Sequence, residues 1–360
     1  MVGLVDNGTN LQMTSSSGPG EIVPNCYGMM VPVVFYAFQA QAGRPFILVA
    51  AHAIQAPGLL PLVTELTRHR DALASYGADI VVVVRQDYES MAAQDLSAFS
   101  GVTLVSCYDP GFFPAMALAP GQTSVLVIDR SLRIVERFDH LGPDVPSSAI
   151  AAITTLPGEP PQDVSMPAPV LIIHHLLDHA LCRRLITRFE EGGNFDSGMA
   201  SVDAAGAASY KIDHAKKRRR DHLLEPGEQL HDEVAATLMR RVGAEIKKAF
   251  HIDVAHIDRL IIARYDDDGG HFGRHRDNAA PGVAFRQFAL SVNLNAGEFD
   301  GGSLSFPEYN DHRYSLPTGS GMIFSSSLLH QVSPVTRGSR YVLLTFLHDE
   351  AAELRRLAGA

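Results

Sequence analysis

Tyr265-Asp-Asp-Asp-Gly-Gly-His-Phe-Gly-Arg-His-Arg-Asp277 is the stretch that decides how the second half of this 360-residue chain folds. It continues the β-forming run Leu260-Ile-Ile-Ala-Arg264 and ends on a histidine and an aspartate two residues apart. Along a strand, residues i and i+2 share one face, so His275 and Asp277 can both turn into the mouth of a barrel. Glycines at 269, 270 and 273 let the backbone just before them curl tightly beside a bound ion.

His-x-Asp alone is a poor signal. With 16 histidines and 25 aspartates, about one such pair is expected by chance, and the chain has four. His69/Asp71 lies on an expected helix of the first half, with no histidine partner in a matching sheet. His251/Asp253 ends a helix, and His256/Asp258 leads into an apolar strand. These three are read as surface pairs. His275/Asp277 differs by its glycine-bent approach.

Around it, Phe288–Leu294, Gly302–Phe306, Gly321–Phe324 and Arg340–Leu347 are short, rich in β-formers and bounded by Gly or Pro. Such a run suits the antiparallel strands of a double-sheet jelly roll. A facial triad of two histidines and one carboxylate needs a second histidine on a later strand, and leaves coordination positions free for a 2-oxo acid and oxygen. His330 fills that place, 53 residues past Asp277. Its competitor, His312, sits in the polar turn Asn310-Asp-His-Arg313. Ten residues beyond His330, Arg340 opens the last strong strand, expected to run beside the one bearing His330. Its planar guanidinium can clamp a carboxylate bidentately, which a lysine cannot do. Arg337, in the turn before Gly338, is the alternative.

Arg264-Tyr-x4-Gly-x-Phe-x2-His275-x-Asp277, then Asn293, Gly301-Gly302 and His330-x-Val-x-Pro-Val-x2-Gly-x-Arg340, resembles the prolyl 4-hydroxylase-like branch of the 2-oxoglutarate/Fe(II) dioxygenases. The resemblance covers about residues 168–350. It implies a double-stranded β-helix, iron on His275, Asp277 and His330, and 2-oxoglutarate on Arg340 with help from Tyr265. It also implies that Asn293 lines the co-substrate pocket, though the loop after Tyr265 is one residue longer than the commonest form. The implied cofactors are Fe(II), 2-oxoglutarate and O2, with ascorbate as a candidate reductant. The implied reaction hydroxylates an unactivated C–H of an amino acid, peptide or small metabolite and releases succinate and CO2. Desaturation or ring closure would use the same residues. A non-catalytic metal or 2-oxoglutarate sensor is the competing function.

The first half has another pattern. Buried-type strands at Pro45–Ala51, Asp79–Val84 and Val102–Cys107 alternate with helices at Gly58–Tyr76 and through Met91 and Phe99, and a hairpin spans Ser124–Phe138. That order implies a mixed sheet covered by helices. With Gly43-Arg44-Pro45 and Ile128-Asp-Arg-Ser-Leu-Arg-Ile-Val135, it resembles the thioredoxin-like fold of peroxiredoxins over about residues 20–145. Peroxiredoxins carry a nucleophilic cysteine just after the first central strand. Here that stretch is Ala51-His-Ala-Ile-Gln-Ala-Pro-Gly-Leu-Leu-Pro61, which has none. The implied module is redox-dead, a scaffold, docking or dimerisation element. A thiol function through Cys107 is the remaining redox reading.

The expected organisation is a flexible N-terminus at 1–20, an α/β domain at 21–155, a Pro-rich linker at 156–169 and the mainly β oxygenase domain at 170–360. The linker stretch holds five prolines in fourteen residues, which neither helix nor sheet interior accommodates. Beyond it a strand at Val170–Ile173 and a helix capped by Asp178 lead to a Gly/Ala/Ser-rich segment, Gly192–Ala208, expected as a flexible loop. Lys216-Lys-Arg-Arg-Arg220 is expected as a solvated charge run. The substrate pocket is expected between the Gly192–Asp221 region and side chains near His271, Arg274, Arg276 and Asn278.

A net charge of −10 argues against a general nucleic-acid or membrane-surface binder. Residues 161–360 are nearly neutral, with 23 basic against 26 acidic side chains, so an acidic co-substrate meets no global repulsion there. Three scattered cysteines make neither a disulfide framework nor a zinc site. No signal peptide and no membrane span is legible, so a cytoplasmic protein is expected, with a homodimer as the candidate assembly.

Overall fold

The computed structural model describes residues 17–156, 163–202 and 208–358. Most of the segment 1–20, and parts of the Pro-rich stretch and of Gly192–Ala208, lie outside the described residues. The chain divides into two compact units between Glu159 and Pro160. Among the described residues, no helix is long and apolar enough to cross a membrane.

The first unit is built on Phe46–Ala51, all six residues of which are buried. A strand with no polar face must be covered on both sides. Ile47, Val49 and Ala51 pack with the helices Leu59–Arg68 and Val145–Thr154. Phe46, Leu48 and Ala50 pack instead with Phe112 and Phe113. The sheet order is Val34–Ala37, Tyr27–Met30, Thr103–Cys107, Asp79–Val84, Phe46–Ala51, Thr123–Ile128, Ile134–Phe138. The middle three are parallel and the flanking pairings antiparallel, the thioredoxin-like arrangement. The expected helix at 58–76 is two helices, broken at His69. The helix expected through Met91 and Phe99 is Tyr88–Ala92 followed by a separate 3-10 turn at Ser97–Phe99.

The second unit is two facing antiparallel sheets, a double-stranded β-helix. The larger runs Val170–Ile173, Gly321–Ser325, Phe288–Asn293, Ser339–His348, Leu260–Asp266, Arg220–Leu224, Phe195–Asp196. The smaller runs Lys217–Arg218, His271–His275, His330–Val332, Leu304–Ser305. Alternation along Leu260–Asp266 shows why both faces are apolar. Leu260 and Ile262 meet the helices His179–Glu191 and Gln229–Phe250. Ile261, Ala263 and Tyr265 instead fill the space between the sheets with Phe306, Phe324 and Val342. Asp178 caps the first of these helices by accepting from the Leu181 N–H.

Two expectations fail here. The strand carrying Arg340 does not run beside the one carrying His330. Ser339–His348 belongs to the larger sheet, while His330–Val332 pairs with His271–His275 in the smaller one. A double-stranded β-helix alternates its strands between sheets, so two strands consecutive in the chain face each other. Gly192–Ala208 is not a plain loop either, since Phe195–Asp196 and Met199–Val202 are strands.

Candidate metal centre and co-substrate pocket

His275 and His330 lie directly opposite each other across an antiparallel pair. Asp277 follows two residues later, its N–H held by the Ser326 carbonyl at 2.9 Å. One ligand atom from each of the three side chains lies within 4.8 Å of the others. His275 Nε2 is 3.4 Å from one Asp277 oxygen and His330 Nε2 is 3.4 Å from the other. The loop before them closes as expected at Gly270, where a Cβ would come 2.6 Å from the Asp266 nitrogen.

The tautomers follow from the backbone. His275 Nδ1 faces the Gly273 carbonyl at 2.8 Å and His330 Nδ1 faces the Leu328 carbonyl at 2.9 Å. A carbonyl only accepts, so each Nδ1 carries the proton and each Nε2 keeps its lone pair for a metal. Burial would raise the Asp277 carboxyl, but His330 and His275 hold it below its ordinary range. Burial pushes His330 below the ordinary imidazole value against the pull of Asp277. A divalent cation would require both imidazoles neutral and the carboxylate ionised.

The three side chains open on a cavity of about 880 Å³, walled on its apolar side by Phe272, Ile261, Leu290, Phe324, Val332 and Phe346. Arg340 enters it from the larger sheet, opposite Tyr265 in register. It is 7% exposed, and among the described residues no carboxylate lies within ion-pair reach of it. Its guanidinium lies 5.5 Å from the centre of the Tyr265 ring, and burial lowers its pKa to about 10. A buried guanidinium without a counter-ion is costly, and an anionic ligand would relieve it. Asn293 does not line the cavity that holds the three candidate ligands. It lines a small cavity of about 20 Å³ that Arg340 also borders, donates to the Leu316 carbonyl at 2.7 Å, and leaves its buried Oδ1 unpartnered.

The alternatives weighed on sequence have their own surroundings. His312 is exposed in its turn, and Arg337 is exposed and paired with Asp300. His256 pairs with Glu350 and Asp258 with Arg286. Of the side chains expected around the pocket, Arg276 lines the cavity, whereas His271, Arg274 and Asn278 do not.

The charge run is the main correction. Lys217 is only 5% exposed and Arg219 only 9%, and both line the cavity; Lys216 is exposed and borders its opening, and Arg218 is exposed outside it. Arg219 makes a bidentate pair with buried Asp221 at 2.6 Å, and Asp221 also accepts from Ser197. Alternation along the strand buries every second residue of a run whose members are all polar. Arg259 and Arg286, also missed, line the same cavity.

In the first unit His52 follows the first central strand and no cysteine is near it in sequence. Cys26 and Cys107 are buried in the apolar layer beside Phe112.

Residues 260–348 match the model of the 2OG-Fe(II) oxygenase superfamily. The chain is similar to a PKHD-type hydroxylase of Nitrobacter winogradskyi, 32% identical over 156 residues, covering 40% of this chain and 67% of that protein. In two further PKHD-type hydroxylases, of Azoarcus and Verminephrobacter eiseniae, the match spans only 45% and 47% of their length. Among solved structures, a viral collagen prolyl hydroxylase of Paramecium Bursaria Chlorella virus-1 matches 50% of this chain and 96% of its own, at 19% identity and TM-score 0.39. A peroxidoxin of Mycobacterium tuberculosis matches 39% of this chain and 99% of its own, at 13% identity and TM-score 0.36.

Proposed function

The chain belongs to the 2OG-Fe(II) oxygenase superfamily, and on that premise we propose that it hydroxylates an unactivated C–H of an amino acid, peptide or small metabolite. His275, Asp277 and His330 would hold Fe(II), and Arg340 with Tyr265 the far carboxylate of 2-oxoglutarate. When bound, the metal and co-substrate supply the oxidising chemistry: one atom of O2 enters the substrate, the other enters succinate, and CO2 leaves.

The protein's own part is placement. The two Nδ1–H groups, tied to backbone carbonyls, fix both imidazoles so that Nε2 faces the metal position. Arg340 orients the co-substrate from the opposite sheet, and the apolar walls keep water from the reacting carbon.

The observation that carries the proposal is a set of two histidines and one aspartate sharing one cavity with a buried arginine that has no carboxylate partner among the described residues. Its test is Fe(II)- and 2-oxoglutarate-dependent succinate formation. Wild type should form succinate, and a folded His275→Ala variant should lose it by at least about a hundredfold. Succinate release that survives the substitution, or a wild type that binds both ligands without turnover, would sink it; the second outcome would mark a sensor.

A further inference from the structure

The cavity holds more basic side chains than iron and 2-oxoglutarate can use. On the proposed assignment, the metal's two charges and that of Arg340 meet Asp277 and the two carboxylates of 2-oxoglutarate, and these balance. Arg219 is neutralised by Asp221. Asp258 is shared by two guanidiniums. It is gripped by Arg286 at 2.6 Å and stands 3.9 Å from Arg259, so one of the two is in excess. Lys217 has no carboxylate within ion-pair reach among the described residues. Its Nζ donates to the Gly198 carbonyl at 2.7 Å and lies 4.9 Å from the centre of the Phe272 ring, which stacks on His275.

We propose that the substrate of this enzyme is an acid, and that Lys217 binds its carboxylate while the carbon to be oxidised faces the metal. The inference rests on the oxygenase function proposed above and narrows its substrate class. A lysine 95% removed from solvent, aimed into a cavity and given only one carbonyl, is a built anion site that lacks its anion. Burial, together with nearby Arg219 and against the pull of Asp221, pushes its amine down to about 6. A substrate carboxylate would oppose that shift by pairing with the ammonium. Arg259, at the exposed edge of the same cavity, supplies the second excess charge and draws anions toward the opening. The apolar walls fit the carbon skeleton between carboxylate and metal.

The test uses the full chain loaded with Mn(II) in place of Fe(II) and saturated with 2-oxoglutarate, so that nothing turns over. Butyrate and benzoate are titrated against butyramide and benzamide, which match them in shape and lack the charge. The acids should bind at least tenfold more tightly than the amides, and Lys217→Met should erase that difference while leaving 2-oxoglutarate affinity within twofold. Equal binding of acid and amide, or no binding of either acid at millimolar concentration, overturns the proposal. So does a Lys217→Met variant that loses 2-oxoglutarate instead, because Lys217 would then serve the co-substrate. Uptake of Mn(II) and 2-oxoglutarate, followed by electron paramagnetic resonance before any acid is added, tests the oxygenase assignment separately. A wild-type protein that binds neither defeats both conclusions, whereas one that binds both but ignores charge defeats only this one.

Discussion

Gly302→Ala should weaken 2-oxoglutarate binding without touching a metal ligand. Gly302 has φ +62°, and a Cβ there would come 2.7 Å from Arg340 Cδ and 3.1 Å from Val335 Cγ2. The left-handed backbone costs an alanine about 1–2 kcal/mol of stability. The contact costs something else. Carbon atoms rest at roughly 3.5–4.0 Å, so the Arg340 stem must retreat by about 1 Å. A guanidinium displaced that far keeps at most one of two parallel hydrogen bonds to a carboxylate. Losing one charge-assisted bond is worth about 1.5–3 kcal/mol, or roughly a 10- to 100-fold weaker affinity. Gly297→Ala is the control. Gly297 has φ +88° but nothing within 4 Å of its Cβ position, so it bears the backbone cost alone. The assay is the KM for 2-oxoglutarate in succinate formation, with melting curves for both variants. An unchanged KM in Gly302→Ala, or an equal rise in Gly297→Ala, would refute the link between this glycine, Arg340 and the co-substrate.

Arg340→Lys keeps the charge but loses the fork, and should raise the KM for 2-oxoglutarate roughly tenfold or more, with kcat less affected. Asp221→Asn leaves Arg219 buried and unpaired, and should cost the second unit about 3–5 kcal/mol, read by chemical denaturation. The Asp221 carboxyl, which burial alone would raise, is held below its ordinary value by Arg219. Its contribution is therefore whole above the unfolded carboxylate pKa of about 3.9, and drains away as pH falls through the depressed folded value. The acid limb of the stability profile should be shallower in Asp221→Asn than in wild type. Cys107→Ser should leave succinate formation unchanged, because that thiol is buried in the apolar layer of the other unit; a parallel loss of activity would revive a thiol role.

The parts of the fold legible in the sequence are those where burial is one-sided or complete. Phe46–Ala51, Asp79–Val84 and Thr123–Ile128 announce themselves because both faces are apolar. The candidate metal ligands are legible for a different reason. His275 and Asp277 share a face two residues apart, and Gly270 marks where backbone must pass backbone within 2.6 Å of a missing Cβ. The step from His330 to Arg340 leads to two residues of one cavity but to the wrong strand neighbour. Spacing in the chain measures the length of a connection, and ten residues serve equally well to turn beside a strand or to cross to the facing sheet.

What the sequence hides best is the charge lining the cavity, and the reason is physical. Strand alternation is normally read from contrast between apolar and polar positions. In Lys216-Lys-Arg-Arg-Arg-Asp221 every position is charged, so the period of two leaves no trace, yet Lys217, Arg219 and Asp221 are buried while Lys216 and Arg218 are exposed. Nothing local distinguishes that run from a solvated face, because what buries it is its pairing with His271–His275 and Leu260–Asp266, some fifty residues away. The arrangement is expensive unless each inward basic group has a partner. Arg219 has Asp221; on the proposed assignment Arg340 would take the co-substrate, and Lys217 is left over. A cavity that buries a basic group beyond the needs of iron and 2-oxoglutarate would restrict what can enter it, and on the proposal above the run that looked like solvated surface is the part of the chain that would select the substrate.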